Sequence, residues 1–156
     1  MIKLMQNAKF INALPPVAEA YESGPNSTDI INMANWETCT FIVTEGVGTT
    51  GTSTITVLAC DDTTPTTSAA CSFRYKAITT IDTEGDTTLA TTAGFGTTAG
   101  SNHMYLVEVS ASDLPSNYQY VKLKHTELVD AAVLSGTIAI LTGGSDQGDD
   151  LATTIT

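Results

Sequence analysis

The side chains that most often perform catalysis are few and scattered in this chain. His103 and His125 are its only histidines, and neither stands at a recognised spacing from a serine or cysteine nucleophile. Structural zinc would require clustered Cys and His ligands, and the sequence contains no C-x-x-C pair. We interpret both histidines as surface or strand-end residues. We predict no catalytic residue, no cofactor-binding residue, no metal ligand and no enzymatic activity.

Two loop segments carry closely spaced carboxylates. Asp61–Asp62 and the group Asp82, Glu84 and Asp86 could supply the acid pair of a glycosidase, which works through two carboxyl groups beside a glycosidic bond. The chain has a single tryptophan to stack on a sugar. Because Trp36 directly precedes an apolar strand, we assign it a core or interface role and interpret the acids as ordinary loop residues.

A third acidic group lies near the end of the chain. Asp146, Asp149 and Asp150 could offer oxygens to calcium, with Gly148 permitting a turn among them. Their spacing does not match the calcium loop of an EF-hand. We therefore expect a flexible acidic tail over residues 143–156.

The three cysteines do not form an even set, as a disulfide framework would require. Cys60 and Cys71 flank a polar loop and could lie opposite each other at the mouth of a hairpin, where a disulfide is geometrically possible. We favour free, partly buried thiols made in a reducing cytoplasm. Cys39 is interpreted as a small core residue.

The net charge excludes two classes of partner. The chain has six basic and seventeen acidic side chains among 156 residues, which gives a net charge of −11. Nucleic-acid binding depends on clustered Lys and Arg, and anionic membranes repel an acidic surface. The first ten residues also lack the continuous apolar stretch of a secretory signal. We expect neither nucleic-acid nor membrane binding.

The distribution of threonine and of apolar residues predicts an all-β protein. Threonine is β-branched and suits a pleated strand, and short alternating apolar runs recur between turn residues. The regular spacing favours an antiparallel, jelly-roll-like β-sandwich of eight or nine strands with little helix. We divide the chain into an N-terminal arm (1–9), one sandwich domain (10–142) and the tail (143–156). The predicted strands are Phe10–Leu14, Asp29–Met33, Thr38–Thr44, Thr52–Cys60, Ser72–Ile78, Leu89–Ala93, Met104–Val109, Tyr118–His125 and Ala131–Leu141, with one helical turn at Ser112–Leu114.

Basic residues occur as pairs two positions apart. Arg74 with Lys76 and Lys122 with Lys124 should each lie on one face of a strand, while the interleaved apolar residues point into the core. The first interpretation is that these basic pairs lie on solvated outer faces of the sheets. The alternative is a positive stripe that meets an acidic partner.

The order of these segments resembles small head proteins of tailed bacteriophages. The resemblance covers roughly residues 8 to 142 and rests on strand and turn patterns at Lys9–Pro16, Trp36–Val43, Ser53–Cys60, Met104–Leu114 and Tyr120–Leu123. Those relatives are β-sandwich decoration or cement proteins of the capsid. The resemblance therefore implies a virion structural protein on the outer capsid surface, synthesised in the host cytoplasm. It would stabilise contacts between major capsid protein subunits, often as a homotrimer.

Two other functions stay open. A carbohydrate-binding or adhesin-like sandwich would expose aromatic side chains in a row, and only 6% of this chain is aromatic. The second alternative is a phage tail component, which is also a virion structural protein and so is closer to the capsid interpretation. The acidic surface agrees with a position outside the shell, since a protein that faces packaged DNA would be expected to be basic.

Overall fold

The computed structural model describes residues 4–21, 24–144 and 154–155, and strands make up more than half of the chain. Within these residues, helix is limited to single turns at Leu4–Asn7 and Ala111–Asp113. The strands are β1 (Ala8–Val17), β2 (Asn26–Ser27), β3 (Ile30–Asn32), β4 (Thr38–Gly48), β5 (Thr52–Cys60), β6 (Ser68–Cys71), β7 (Phe73–Ile78), β8 (Thr88–Ala90), β9 (Phe95–Gly96), β10 (Met104–Ser110), β11 (Tyr120–Val129), β12 (Val133–Thr142) and β13 (Thr154–Ile155).

Two antiparallel sheets form the sandwich. Sheet 1 has the order β1-β12-β4-β10-β7-β8, and sheet 2 has the order β13-β3-β11-β5-β6, with β2 against β11 and β9 against β5. The pairs β1·β12, β3·β11, β4·β10 and β5·β6 nest inside one another along the chain. This is a long hairpin rolled into two sheets, the jelly-roll arrangement. The predicted all-β sandwich is confirmed.

The core follows from the two-residue periodicity of the strands. In β4, Cys39, Phe41 and Val43 are fully buried, and the alternating residues Thr38, Thr40 and Ile42 are not. β5 alternates in the same way, with Ile55 and Val57 facing inward from sheet 2. Successive side chains of a strand point to opposite faces, so each sheet turns one row toward its partner sheet. Both rows join one continuous hydrophobic core.

The predicted end of the first strand at Leu14 is wrong, because β1 continues through Pro15 and Pro16 to Val17. β1 is an edge strand of sheet 1, and its register against β12 shifts twice between Asn12 and Val17. Proline lacks a backbone N–H, which is tolerated at a sheet edge and at register irregularities.

The segment around the second and third cysteines also differs from expectation. The predicted strand Ser72–Ile78 corresponds to β7, but the strand before it, β6, was not predicted, and the chain crosses from sheet 2 to sheet 1 at Ser72 between them. Cys71 lies opposite Val57, and Ser68 lies opposite Cys60. The two cysteines therefore do not face each other, and all three thiols are free and buried.

The ends of the chain bear on the predicted arm and tail. The arm contains the helical turn Leu4–Asn7 and the first residues of β1. At the other end, Thr154–Ile155 adds a short strand to sheet 2 by pairing with Ile30 and Ile31 of β3. Asp146, Asp149 and Asp150 lie outside the described residues.

Candidate interaction surface

The outer face of sheet 1 carries apolar side chains where an antiparallel sheet normally shows polar ones. Outward positions of β12, β4, β10 and β1 alternate with the buried core residues and hold isoleucine, leucine, methionine and phenylalanine. Ile138 is 44% exposed and Phe10 is 43% exposed. We call this surface the apolar face, and it consists of Phe10, Ile42, Met104, Leu106, Ile138 and Ile140.

The strand register makes these side chains neighbours. Ile138 pairs with Ile42, and Ile42 pairs with Leu106, so one row crosses three strands. Phe10 pairs with Ile140 in the adjoining row. From strand spacing and rise, the patch measures roughly 20 Å by 15 Å, or about 300 Å². A patch of this size falls within the range of the largest apolar patch on an ordinary monomer, and such patches are often functional.

Charge on the same surface is sparse and lies to one side. Glu108 is the one acid among the outward positions of β4, β7, β10 and β12, and Arg74 of β7 is its register neighbour. Lys76 forms an ion pair with Glu84 at 2.8 Å, whereas no ion pair or hydrogen bond engages the guanidinium of Arg74 within the described ranges. A groove of about 210 Å³ lies here, lined in part by Arg74, Lys76 and Leu106.

The outer face of sheet 2 has the opposite character. Its central rows pair Thr54 with Thr126, Thr56 with Lys124, and Leu58 with Lys122. Hydroxyl and ammonium groups thus dominate this surface, as expected for a sheet with one wet side. The difference between the two outer faces marks sheet 1 as the side suited to bind an apolar surface.

The basic pairs lie where the sequence predicts. Arg74 is exposed, and Lys76, Lys122 and Lys124 are partly exposed on the outer faces. Among the interleaved apolar residues, Phe73, Val121 and Leu123 are buried. Tyr75 is only partly buried and stacks on Phe95, with ring centroids 3.8 Å apart. The predicted alternation of these strands is confirmed.

The interpretation of the two histidines as surface or strand-end residues holds for the position of His103, which directly precedes β10, and is wrong for His125, which lies within β11. His103 is 8% exposed and His125 is 1% exposed, and both lie inside one end of the sandwich. There they join a buried polar cluster, which we define as Tyr21, Glu45, Ser53, His103 and His125.

Glu45 is the centre of the buried polar cluster. Its carboxylate accepts a hydrogen bond from the Tyr21 hydroxyl at 2.5 Å, and its other oxygen lies 3.4 Å from Nδ1 of His103. The same Nδ1 is 3.1 Å from the carbonyl oxygen of Thr98, so it carries the proton and donates. Glu45 therefore ties the loop containing Tyr21 and the loop before β10 to the end of β4.

Burial sets the protonation of the cluster. Desolvation raises the pKa of Glu45, while the hydrogen bond from Tyr21 and the charge of His103 act in the opposite direction. Burial, reinforced by Glu45, also raises the pKa of Tyr21. His125 lies 3.4 Å from the Ser53 hydroxyl, and burial lowers its pKa to about 4. His125 is thus neutral at pH 7.

The remaining predicted candidates are not brought together. Asp61, Asp62, Asp82, Glu84 and Asp86 are exposed loop residues. No group of three or more Cys, His, Asp or Glu side chains that could hold a metal occurs in the part of the chain that the structure describes.

The aromatic and thiol candidates pack into the interior. Trp36 is partly buried and packs against the core. Burial raises the pKa of Cys39 and Cys60, and it raises the pKa of Cys71 to about 11. These thiols are therefore protonated and weakly nucleophilic at neutral pH.

Sequence reasoning missed both the apolar face and the buried polar cluster. The signal for the apolar face is unbroken apolar character, as in Phe41–Val43 and Ile138–Leu141, which indicates that both sides of a strand are covered. No comparable signal marks the cluster, because Tyr21 and His103 reach Glu45 from distant loops.

No helix in the described ranges is both long and apolar enough to span a membrane. Comparison of the chain with protein-family models and with curated proteins found no match.

Proposed function

We propose that this chain is a virion structural protein that binds the outer surface of a tailed-phage capsid. In this proposal it stabilises contacts between major capsid protein subunits, acts as a homotrimer and catalyses no reaction. The observation that carries the proposal is the apolar face, an acid-poor surface of about 300 Å² without a partner in the described chain.

The fold and the charge support the same role without deciding it. Jelly rolls occur in viral capsid domains and equally in lectins, so architecture alone does not assign a function. The net charge of −11 disfavours contact with packaged DNA and suits an outer surface. An oligomer that engages several capsid subunits at once would gain affinity, because each further contact is effectively intramolecular.

The glycan-binding alternative receives less support from the aromatic residues. A sugar site usually presents exposed aromatic rings, but Tyr21, Phe41, Phe73 and Tyr105 are fully buried and Trp36 packs on the core. Phe10 is the exposed aromatic side chain on the apolar face, and its neighbours are aliphatic.

The test uses purified particles of the virus that encodes the chain. We expect the protein at a fixed ratio to the major capsid protein, accessible to antibody on intact particles. Particles that lack it should lose their DNA at a lower temperature, and adding the purified protein should restore heat resistance. Absence from virions, or a location inside the shell with the DNA, would overturn the proposal.

A further inference from the structure

Three polar atoms toward one end of the sandwich interior have no hydrogen-bond partner in the part of the chain that the structure describes. They are Nε2 of His125, Oγ of Ser135 and Oγ1 of Thr137, and each of these residues is 1% exposed. A fourth such atom, Nε1 of Trp36, belongs to a partly exposed side chain near the other end of β4 from Glu45. Most buried polar groups in native proteins are bonded to the chain or to an ordered water, because an unpaired one destabilises the fold. The three atoms therefore need a partner that the neighbouring side chains do not supply.

β12 places two of these atoms side by side. Ser135 and Thr137 are two positions apart and both buried, so their side chains point from sheet 1 toward the interior. Ser135 is the register neighbour of Glu45, the centre of the buried polar cluster. The α-carbons of residues two apart on a strand are separated by about 7 Å, so hydroxyls that lean toward each other can share one small ligand.

Tyr21 connects this pair of hydroxyls to His125 on sheet 2. Burial, reinforced by Glu45, raises the pKa of Tyr21. The Ser53 and Ser135 hydroxyls oppose that rise in pKa, which places both of them close to the Tyr21 hydroxyl. The Tyr21 and His125 rings have centroids 5.4 Å apart, and Nδ1 of His125 is 3.4 Å from the Ser53 hydroxyl. These contacts bring His125 of sheet 2 and Ser135 of sheet 1 to the same part of the interior.

The three atoms select a neutral ligand that both donates and accepts hydrogen bonds. A serine or threonine hydroxyl does both, and Nε2 of a neutral histidine does one or the other according to the tautomer. A metal ion is disfavoured, because no group of three or more Cys, His, Asp or Glu side chains that could hold one occurs in the described ranges. An anion would lie close to the Glu45 carboxylate, and an apolar molecule would leave all three atoms unpaired. Water meets these requirements, since buried waters typically form about three hydrogen bonds.

We propose that one water molecule is bound inside the sandwich, hydrogen-bonded to Ser135, Thr137 and Nε2 of His125. It joins β12 of sheet 1 to β11 of sheet 2 next to the buried polar cluster. This internal water site belongs to the folded chain itself and does not depend on the proposed function.

The strand register is irregular at Ser135, which offers the water a route to solvent. The register of β12 shifts against β4 between Val133 and Ser135, and the register of β1 against β12 shifts between Leu14 and Val17. Such irregularities interrupt the backbone ladder. A surface pocket of about 200 Å³ opens here, and its lining includes Glu45 and Ser135. The water should therefore exchange with solvent without unfolding of the chain.

The first experiment looks for the water directly. A crystal structure of the full chain, at a resolution that shows ordered waters, should contain one within hydrogen-bond distance of all three atoms. Magnetic relaxation dispersion of labelled water oxygen counts long-lived waters in solution. It should show one fewer in the double variant Ser135→Ala/Thr137→Val, and no change in Thr126→Val, a matched control at an exposed position. Hydroxyls bonded to backbone carbonyls with no water between them would overturn the proposal, as would an unchanged count in the double variant.

The second experiment uses the sign of a stability change. Thr137→Val replaces a hydroxyl by a methyl group of similar size. If the water is bound, the change removes a hydrogen bond and should lower the folding equilibrium constant about fivefold. If the site is dry, the change removes an unpaired polar group and should raise that constant, which would overturn the proposal. Urea denaturation gives the sign, and Thr126→Val should alter the constant by about twofold or less.

Discussion

The apolar face and the buried polar cluster depart from the usual distribution of side chains in opposite directions. The apolar face leaves Ile138 and Phe10 exposed to solvent, whereas the cluster buries Glu45 and His103 inside one end of the sandwich. The cluster finds its partners within the chain, since Tyr21 and His103 both contact Glu45. The apolar face has no cover in the described chain.

This difference assigns the two regions different roles. Buried polar groups that are paired fix a local structure, and removing one partner leaves the others unsatisfied. Exposed apolar side chains gain little from folding and gain much when a partner removes them from water. Changes in the cluster should therefore act on stability, and changes in the apolar face should act on association.

The largest effect on stability is expected at Glu45. Glu45→Ala removes the acceptor for Tyr21 and the carboxylate that lies 3.4 Å from Nδ1 of His103, and should lower the free energy of unfolding by about 3 kcal/mol. The matched control is Glu84→Ala, which removes an exposed ion pair with Lys76 and should cost less than about 0.5 kcal/mol. Urea denaturation measures both, and equal losses would contradict the role of the cluster.

The second effect is on the pH dependence of stability. The unfolded chain binds a proton at His125 with a pKa near 6.5, and the folded chain binds it only near 4. The unfolded state therefore takes up more protons as pH falls from 6.5 toward 4. Protonation of His125 in the unfolded chain should lower the free energy of unfolding by about 2 kcal/mol between pH 7 and pH 5.

Glu45 acts against His125 in this range. Its pKa is raised in the folded state, so the folded chain binds more protons there and gains stability as pH falls toward 4.5. His125→Phe should flatten the acid limb of the stability profile, and Glu45→Gln should steepen it. Denaturation series at pH 7 and pH 5 test this, and parallel profiles for both variants would refute the assignment.

A smaller effect is expected where a strand passes from the core to the apolar face. Val43 is fully buried and the adjacent Ile42 points outward. Val43→Ala should lower the free energy of unfolding by about 2 kcal/mol. Ile42→Ala should lower it by less than about 1 kcal/mol, although this change removes a larger part of the side chain. Chemical denaturation of the two variants gives the comparison. Equal losses would mean that Ile42 belongs to the core and not to the apolar face.

The smallest effect is expected on the outer face of sheet 2. Replacing Lys122 and Lys124 together by alanine should change stability by less than about 0.5 kcal/mol and leave association unchanged. Light scattering and denaturation would check this. A loss of association would instead favour the alternative that this basic pair meets an acidic partner.

Local sequence rules predicted the fold because, in most strands, inward-facing apolar residues alternate with outward-facing residues. β5 has the predicted bounds, Thr52–Cys60, since Gly51 precedes it and a polar loop follows it. The rules failed where position within the sheet decided the outcome. Pro15 and Pro16 stay in β1 because it is an edge strand, and the offset between Cys60 and Cys71 depends on the β5·β6 register.

The candidate surfaces were harder to predict than the strands. Glu45 lies just beyond the predicted end of β4 at Thr44, and its partners come from loops far away in the sequence. The apolar face depends on which of two apolar rows lies inward. That choice requires the pairing of β1, β12, β4 and β10, which no single segment specifies.

The most direct test of the central claim measures whether the apolar face is covered when the protein is assembled. The three native cysteines are buried, so a thiol introduced by Ile138→Cys reports on that face, and Thr126→Cys reports on sheet 2. Labelling rates are compared between dilute monomer and protein bound to virions. We predict that assembly slows labelling at position 138 at least about tenfold and leaves position 126 unchanged. Equal labelling at position 138 in both states would contradict the account.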